Sequence, residues 1–156
     1  MRSTDQDDSF NLQRFIQAQD PVFKRVQAEL NAGHKRSHWM WFIFPQLLGL
    51  GGSEMSRHFA IRSKEEAAAY LNHPLLGSRL RTCTQLVLNI EKSSVAGIFG
   101  HPDDLKFHSS MTLFAQVAGA NSDFHRALDQ YFHGILDDWT LLLLDSKQAQ
   151  LPPDQG

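Results

Sequence analysis

Apolar residues recur at the helical period over most of this chain, in short segments that glycine and proline separate. The clearest segment is "DPVFKRVQAELNAG", residues 20–33, where a proline follows an aspartate and a glycine ends the pattern. Its apolar positions are Val22, Phe23, Val26 and Leu30. They fall on one face of a helix, which predicts that this segment packs against a core.

The same period predicts the whole fold. Ser63 and Glu66 form a capping box before an alanine-rich helix. Gly77 lies inside the next apolar stripe and indicates a close crossing of two helices. We therefore predict an all-α fold, a single compact orthogonal helical domain of about seven or eight short helices.

The length fits one domain. A chain of 156 residues buries about 70% of its unfolded surface on folding, so one core is sufficient. We place the helical domain at residues 10–145, after a flexible N-terminus at 1–9 and before a flexible C-terminal tail at 146–156.

Charge and cysteine content limit the function. The formal net charge of −2 gives no global field for double-stranded nucleic acid or an anionic membrane. Cys83 is the single cysteine, so an intrachain disulfide is excluded, and its place in a helical stripe predicts a buried small hydrophobe. The polar start and the lack of a long apolar run favour a cytoplasmic protein.

The stretch "HKRSHWMWFIFPQ" combines cations with the longest run of large apolar side chains. We predict a short helix that begins at Ser37. Lys35 and Arg36 would then lie at its N-terminal end, where the helix dipole already supplies positive potential. A phosphate held by these three residues would remove the conflict; side chains that reach water or nearby carboxylates would remove it too.

Two tryptophans follow these cations. Trp39 and Trp41 could stack a nucleobase, which contributes about 1–3 kcal/mol per base, or both could belong to the core.

A second stretch, "DDLKFHSSMTLF", carries polar groups of the same kinds. Asp103 and Asp104 fit the start of a helix, where negative charge is favourable. Lys106, Ser109 and Ser110 precede what we predict to be a new helix, which makes a second anion-binding end. If the two stretches meet, Asp103 or Asp104 is the candidate general base or the stabiliser of a cationic centre.

The eight histidines do not form a metal pattern. The sequence contains no HExxH and no CxxC, so we predict neither a metal nor a cofactor.

Four segments, "FNLQRFIQAQ", "KRSHWMWFIFPQLLGLG", "YLNHPLLGSRL" and "FGHPDDLKFHSSMTLF", resemble the bacterial domain-of-unknown-function family 1810. The resemblance spans residues 10–144 and implies a compact, mainly helical cytosolic protein without an assigned activity. Some members carry the label calpastatin, a disordered inhibitor that this aromatic-rich domain does not match. The size and helical character are also similar to NADAR-type domains, which process ADP-ribose and related N-glycosides.

Two functions follow from these residues. The first is an enzyme that binds a phosphorylated nucleoside-type ligand such as ADP-ribose or NAD and hydrolyses an N-glycosidic bond. The alternative is a non-catalytic nucleotide-sensing or protein-interaction module with the same site. The sequence leaves open whether the protein is an enzyme at all, and its oligomeric state.

Overall fold

Ten helices form the secondary structure of residues 8–149, the part of the chain that the computed structural model describes, with side chains described through residue 146. They are α1 (Gln13–Gln19), α2 (Phe23–Asn31), α3 (Met40–Ile43), α4 (Glu54–His58), α5 (Lys64–Asn72), α6 (Pro74–Leu88), α7 (Val95–Phe99), α8 (Asp103–Ala115), α9 (Asp123–Phe132) and α10 (Asp138–Ala149). The all-α prediction is confirmed, because β-type pairing within this range is limited to one isolated bridge between Leu47 and Ile61.

The helix number is ten instead of seven or eight because short turns raise it. α3 has 4 residues, and α4 and α7 have 5 each. Helices of this length close very few internal hydrogen bonds, so the local sequence encodes them weakly. α4 follows Gly51 and Gly52, and the Ser53 hydroxyl caps it by accepting a 3.1 Å hydrogen bond from the Ser56 amide.

The ends of the helical part differ slightly from the predicted limits. α10 continues to Ala149, four residues beyond the predicted end at residue 145. At the other end, the Asp8 carboxylate accepts a 2.9 Å hydrogen bond from the Gln13 amide and so belongs to the start of α1. The remaining residues of the predicted flexible ends, 1–7 and 150–156, lie outside the described part.

The corner between α5 and α6 follows the sequence closely. The Ser63 hydroxyl accepts a 3.0 Å hydrogen bond from the Glu66 amide, as the capping box predicts. A Cβ atom on Gly77 would lie 2.0 Å from the Leu71 carbonyl oxygen, which confirms the predicted close crossing. The stripe of α6 is buried through Leu76, Leu80, Cys83 and Val87.

α8 is the central helix, and it holds the apolar run in place. All its residues from Ser109 to Ala115 are buried, as is Phe107. The Phe107 ring lies 5.1 Å from the Phe44 ring and 4.7 Å from the Phe99 ring. Aromatic pairs at these distances add to the stabilisation that burial gives. The run that contains α3 is therefore fixed against α7 and the first half of α8.

Candidate functional site

One buried carboxylate organises the loop before the apolar run. Glu29, in the last turn of α2, accepts hydrogen bonds from the amides of Arg36 at 2.8 Å and Ser37 at 3.1 Å. It also accepts one from the Ser37 hydroxyl at 2.6 Å and one from Trp39 Nε1 at 2.9 Å. The predicted helix start at Ser37 is wrong, because Ser37 binds Glu29 and α3 begins at Met40.

The protein itself therefore supplies an anion at this loop. Burial alone would raise the pKa of Glu29, but the hydrogen bonds from Ser37, Arg36 and Trp39 outweigh it and lower the pKa from 4.5 to about 2. The carboxylate is charged at neutral pH. It accepts hydrogen bonds from the Arg36 and Ser37 amides and from the Ser37 hydroxyl, so these donors are not free to bind a phosphate.

The sequence predictions did not include Glu29, although a signal was present. The residue follows Val26 by three positions and precedes Leu30, so it lies on the apolar face of α2. A carboxylate on a buried face needs hydrogen-bond donors, because burying an unpaired charge is costly. Such a position therefore indicates a structural partner nearby.

The cations of the two signature stretches meet at one aspartate. Lys35 Nζ lies 2.8 Å from Asp103 Oδ2, and Lys106 Nζ lies 3.4 Å from Asp103 Oδ1. The Lys35 amide also donates a 2.8 Å hydrogen bond to the Ile98 carbonyl, which fixes the loop beside α7. The Lys35 side chain is only 8% exposed. We call Lys35, Asp103, Lys106 and the neighbouring Trp41 the lysine–aspartate cluster.

Each lysine of the cluster also lies over a tryptophan ring. Lys35 Nζ is 5.2 Å from the centre of the Trp39 ring, and Lys106 Nζ is 5.5 Å from that of Trp41. Cations within about 6 Å of an indole face are attracted by its quadrupole. Trp39 is fully buried and bound to Glu29, whereas Trp41 is partly exposed. Of the two predicted stacking residues, only Trp41 has an exposed surface to offer.

The other two charged residues of the predicted site lie at its edge. Asp104 Oδ1 is 3.0 Å from His101 Nδ1, so this aspartate pairs with a histidine that the sequence predictions did not assign to catalysis. Arg36 is exposed, and no carboxylate within residues 8–146 forms an ion pair with its side chain. It remains available to an anion from solution.

Ser109 and Ser110 do not precede a new helix, and that prediction is wrong. Both lie inside the continuous helix α8 and are buried. The Ser109 hydroxyl lies 3.1 Å from both the Leu105 carbonyl and the Asp137 carboxylate. The described residues offer the Ser110 hydroxyl no hydrogen-bond partner. Neither side chain reaches the surface where an anion would bind, because tertiary contacts extend α8 through both serines.

A separate hollow lies between the end of α5 and the start of α9. It has a volume of about 330 Å³, and Arg81, Ser122, Asp123 and Arg126 are among its lining residues. Asp123 is 2.7 Å from Arg126 and accepts a 3.0 Å hydrogen bond from Gln85, while Arg81 adds a second cation to the lining. We take the lysine–aspartate cluster as the candidate site instead, because residues of both signature stretches meet there.

Within residues 8–146, no group of three or more His, Cys, Asp and Glu side chains could hold a metal ion. No helix in the described range combines the length and apolar composition that crossing a membrane requires.

Comparisons with known proteins give a family without an assigned activity. Residues 9–144 match the family described as "Protein of unknown function (DUF1810)". The conserved hypothetical protein Rv1873 from Mycobacterium tuberculosis, known from a crystal structure, is 54% identical. The match covers 88% of this chain and 99% of that chain, with a TM-score of 0.87. No curated protein matches the chain.

Proposed function

Because this chain belongs to the DUF1810 family of proteins of unknown function, we propose its function from the site alone. The protein binds a phosphorylated nucleoside-type ligand, such as ADP-ribose or an NAD-like compound, and hydrolyses its N-glycosidic bond. One observation carries the proposal: Lys35 and Lys106, from separate stretches, lie 2.8 and 3.4 Å from the same aspartate. Two ammonium groups from separate stretches thus lie together at one point of the surface, where an anionic ligand could contact both.

Phosphate recognition would use the charges that the fold leaves available. Lys35 and Lys106 supply ammonium groups, and Arg36 adds an exposed guanidinium that can hold a phosphate through two parallel hydrogen bonds. The partly exposed Trp41 supplies an indole face for the base. In this form of the proposal Ser37, Ser109 and Ser110 support the structure and do not touch the ligand.

Catalysis would divide between the two aspartates. Asp103 is held between ammonium groups, which suits a fixed charge that stabilises an oxocarbenium-like centre. Asp104, hydrogen-bonded to His101, suits the activation of water. The bond between the anomeric carbon and the base nitrogen breaks, and the electron pair leaves with the base. Water then adds to the anomeric carbon and gives its proton to Asp104 or His101.

One observation favours the alternative, a non-catalytic nucleotide sensor. Both oxygens of Asp103 already face ammonium groups, as they would in an ion pair that only holds the fold together. A sensor would use the same cations and the same tryptophan. It would not require Asp103 or Asp104 for chemistry.

Ligand binding is tested first by thermal unfolding with ADP-ribose, NAD, AMP and ribose 5-phosphate. A ligand at 100 times its Kd adds about 2.7 kcal/mol, which raises Tm by roughly 5–10 °C for a domain of this size. K106A and W41A should abolish the shift, and K24A, on the exposed side of α2, should retain it. No shift with any compound, or an equal shift in K106A and W41A, would refute binding at the cluster.

Catalysis is tested separately with ADP-ribosylated nucleosides and chromatographic detection of the released base. D104N should abolish product formation while leaving the thermal shift in place. Binding without any product in the wild-type protein would reject the hydrolase and support the sensor.

A further inference from the structure

The hollow between the end of α5 and the start of α9 has no role in the function proposed above. Its volume of about 330 Å³ is within the range of small-molecule sites. Its walls come from four parts of the fold: the end of α5, the middle of α6, the segment after α8 and the first turns of α9. A molecule in this hollow would therefore contact several helices at once.

Contacts on both sides of the hollow hold its walls in place. The close crossing at Gly77 sets the end of α5 against α6. On the other side, the Tyr131 hydroxyl donates a 2.6 Å hydrogen bond to the Val87 carbonyl. Gln85 donates one of 3.0 Å to Asp123, so α6 and α9 are joined at two points. The hollow is therefore preformed, as ligand pockets usually are.

Three charged side chains of the described residues line the hollow: Arg81 on α6, and Asp123 and Arg126 on α9. Both oxygens of Asp123 have partners, because Oδ1 lies 2.7 Å from Arg126 Nη1 and Oδ2 accepts the hydrogen bond from Gln85. Arg81 Nη1 lies 3.4 Å from the Leu71 carbonyl oxygen, and no carboxylate within residues 8–146 forms an ion pair with it. A guanidinium has five N–H donors, so Arg81 keeps donors for an anion in the hollow.

The surroundings do not reverse this charge. An adjoining hollow shares the two charged residues on α9, and its other lining residues are uncharged: Gln85, Leu88, Asn89 and Gln130. Asp129 faces the far end of α9, since its Oδ1 lies 3.1 Å from the position of a Cβ on Gly134. Glu65, at the start of α5, and Glu91, beyond the end of α6, lie about 10 Å or more along those helices from their nearest lining residues. The hollow thus has two guanidinium groups and one carboxylate.

Uncharged groups complete the lining. The Ser122 hydroxyl caps the His125 amide at 3.3 Å, and the described residues offer no acceptor to the first two amides of α9. Apolar side chains form another part of the lining: Val117, Ala118 and Phe124. The lining as a whole suits an anionic group that is attached to a less polar remainder.

We propose that this hollow binds an organic phosphate monoester, with Arg81 and Arg126 on the phosphate and the organic part against the apolar lining. A guanidinium holds phosphate oxygens through parallel hydrogen bonds, and the start of a helix adds positive potential. A phosphate monoester carries nearly two negative charges at neutral pH. It therefore gains more than a carboxylate from two guanidinium groups.

The hollow is separate from the lysine–aspartate cluster. The cluster lies at the start of α8, whereas the hollow includes Val117, two residues after its end. At 1.5 Å per residue the two sites are roughly 20 Å apart. The inference therefore does not rest on the proposed function, and substitutions at one site should leave binding at the other unchanged.

The test is an NMR titration that follows the amides of residues 117–126 with phenyl phosphate, inorganic phosphate and benzoate. Phenyl phosphate should bind most tightly, because it alone combines a phosphate with an apolar ring. R81Q should weaken its binding by about tenfold, as the loss of a charge-assisted hydrogen bond predicts. D123N should strengthen it by about two- to fivefold, because it removes the carboxylate from the described lining. R25Q, at an exposed arginine on α2, and K106A, at the cluster, should leave it unchanged.

Several results would overturn the inference. An absence of shifts with phenyl phosphate, or equal binding by R81Q, would show that this hollow is not the site. Weaker binding by D123N would contradict the assigned charge. Equal affinity for inorganic and phenyl phosphate would limit the hollow to a simple ion, and tighter binding of benzoate would assign it to carboxylates.

The K106A control separates this inference from the proposed function. Loss of phenyl phosphate binding in K106A but not in R81Q would place the phosphate at the cluster, which overturns the inference and supports the proposed function. A protein that ignores ADP-ribose and still binds phenyl phosphate through Arg81 would do the opposite. Arg81 is exposed and asparagine keeps the shape of Asp123, so the fold should persist, and circular dichroism verifies that.

Discussion

Trp39 donates a 2.9 Å hydrogen bond from its indole nitrogen to the Glu29 carboxylate, and both residues are buried. This contact attaches the longest apolar run to the end of α2. It also satisfies the one polar atom that a buried tryptophan side chain brings into a core. Because the same carboxylate accepts the Arg36 and Ser37 amides, it determines where Lys35 emerges toward Asp103.

The first prediction concerns acid stability through Glu29. Its pKa in the folded protein is about 2, below the ordinary value of 4.5. The unfolded chain therefore binds the extra proton first, and the stabilisation is complete above pH 4.5 and lost as the pH falls toward 2. After allowance for solvent screening we expect about 2 kcal/mol. Urea unfolding at pH 7, 4 and 3 measures how much of this stabilisation is lost as the pH falls.

E29Q is the matched control, because glutamine keeps the shape and has no charge to titrate. Between pH 5 and 3, wild type should lose more unfolding free energy than E29Q. Parallel losses in both proteins would show that other carboxylates account for the acid sensitivity and that Glu29 is not strongly held.

The sequence predicts the fold to the extent that local patterns determine it. The Ser63 capping box and the tight position of Gly77 depend on residues within a few positions, and both appear as predicted. The start of α3 does not appear as predicted, because the group that binds Ser37 is Glu29, eight positions earlier on another helix. Local rules for helix caps cannot include a partner that only the tertiary fold brings near.

The candidate site divides in the same way. Lys35, Asp103 and Lys106 were selected from the sequence by chemical type, and the structure brings these three together. Ser109 and Ser110 were selected by the same rule, yet the packing of α8 against its neighbours buries both. Residue type indicates which groups can bind an anion, whereas the direction of each side chain depends on helix limits that tertiary packing sets.

The second prediction separates these two serines. S110A should leave the unfolding free energy unchanged or raise it by up to about 1 kcal/mol, because it removes a buried hydroxyl that finds no hydrogen-bond partner within residues 8–146. S109A should lower it by about 1 kcal/mol, because it removes the hydrogen bonding to Leu105 and Asp137. Urea unfolding of both variants measures the difference. A greater loss in S110A than in S109A would contradict the placement of the two side chains.

The third prediction concerns the single cysteine. Burial raises the pKa of the Cys83 thiol to about 12, so almost no thiolate exists at pH 8. The native protein should react with an aromatic disulfide reagent only as fast as it unfolds. The same protein in concentrated urea should react completely at once. Full reaction of the native protein within seconds would mean that α6 opens at Cys83 without global unfolding.

The last prediction tests the crossing of α5 and α6 at Gly77. In an open helix, alanine is more favourable than glycine by about 1 kcal/mol. Here the added Cβ would lie 2.0 Å from the Leu71 carbonyl oxygen, a backbone atom that cannot rotate away. G77A should therefore lower the unfolding free energy by about 2 kcal/mol or more, since the helices must separate.

Calorimetry of G77A beside G119A measures this effect, because a Cβ on Gly119 would lie within 4 Å of no described residue other than its chain neighbours. G119A should unfold near the wild-type temperature, and G77A several degrees below it. A G77A protein as stable as wild type would mean that the two helices can move apart at little cost. Contacts other than this crossing would then hold α6 and its buried stripe, which includes Cys83, against the core.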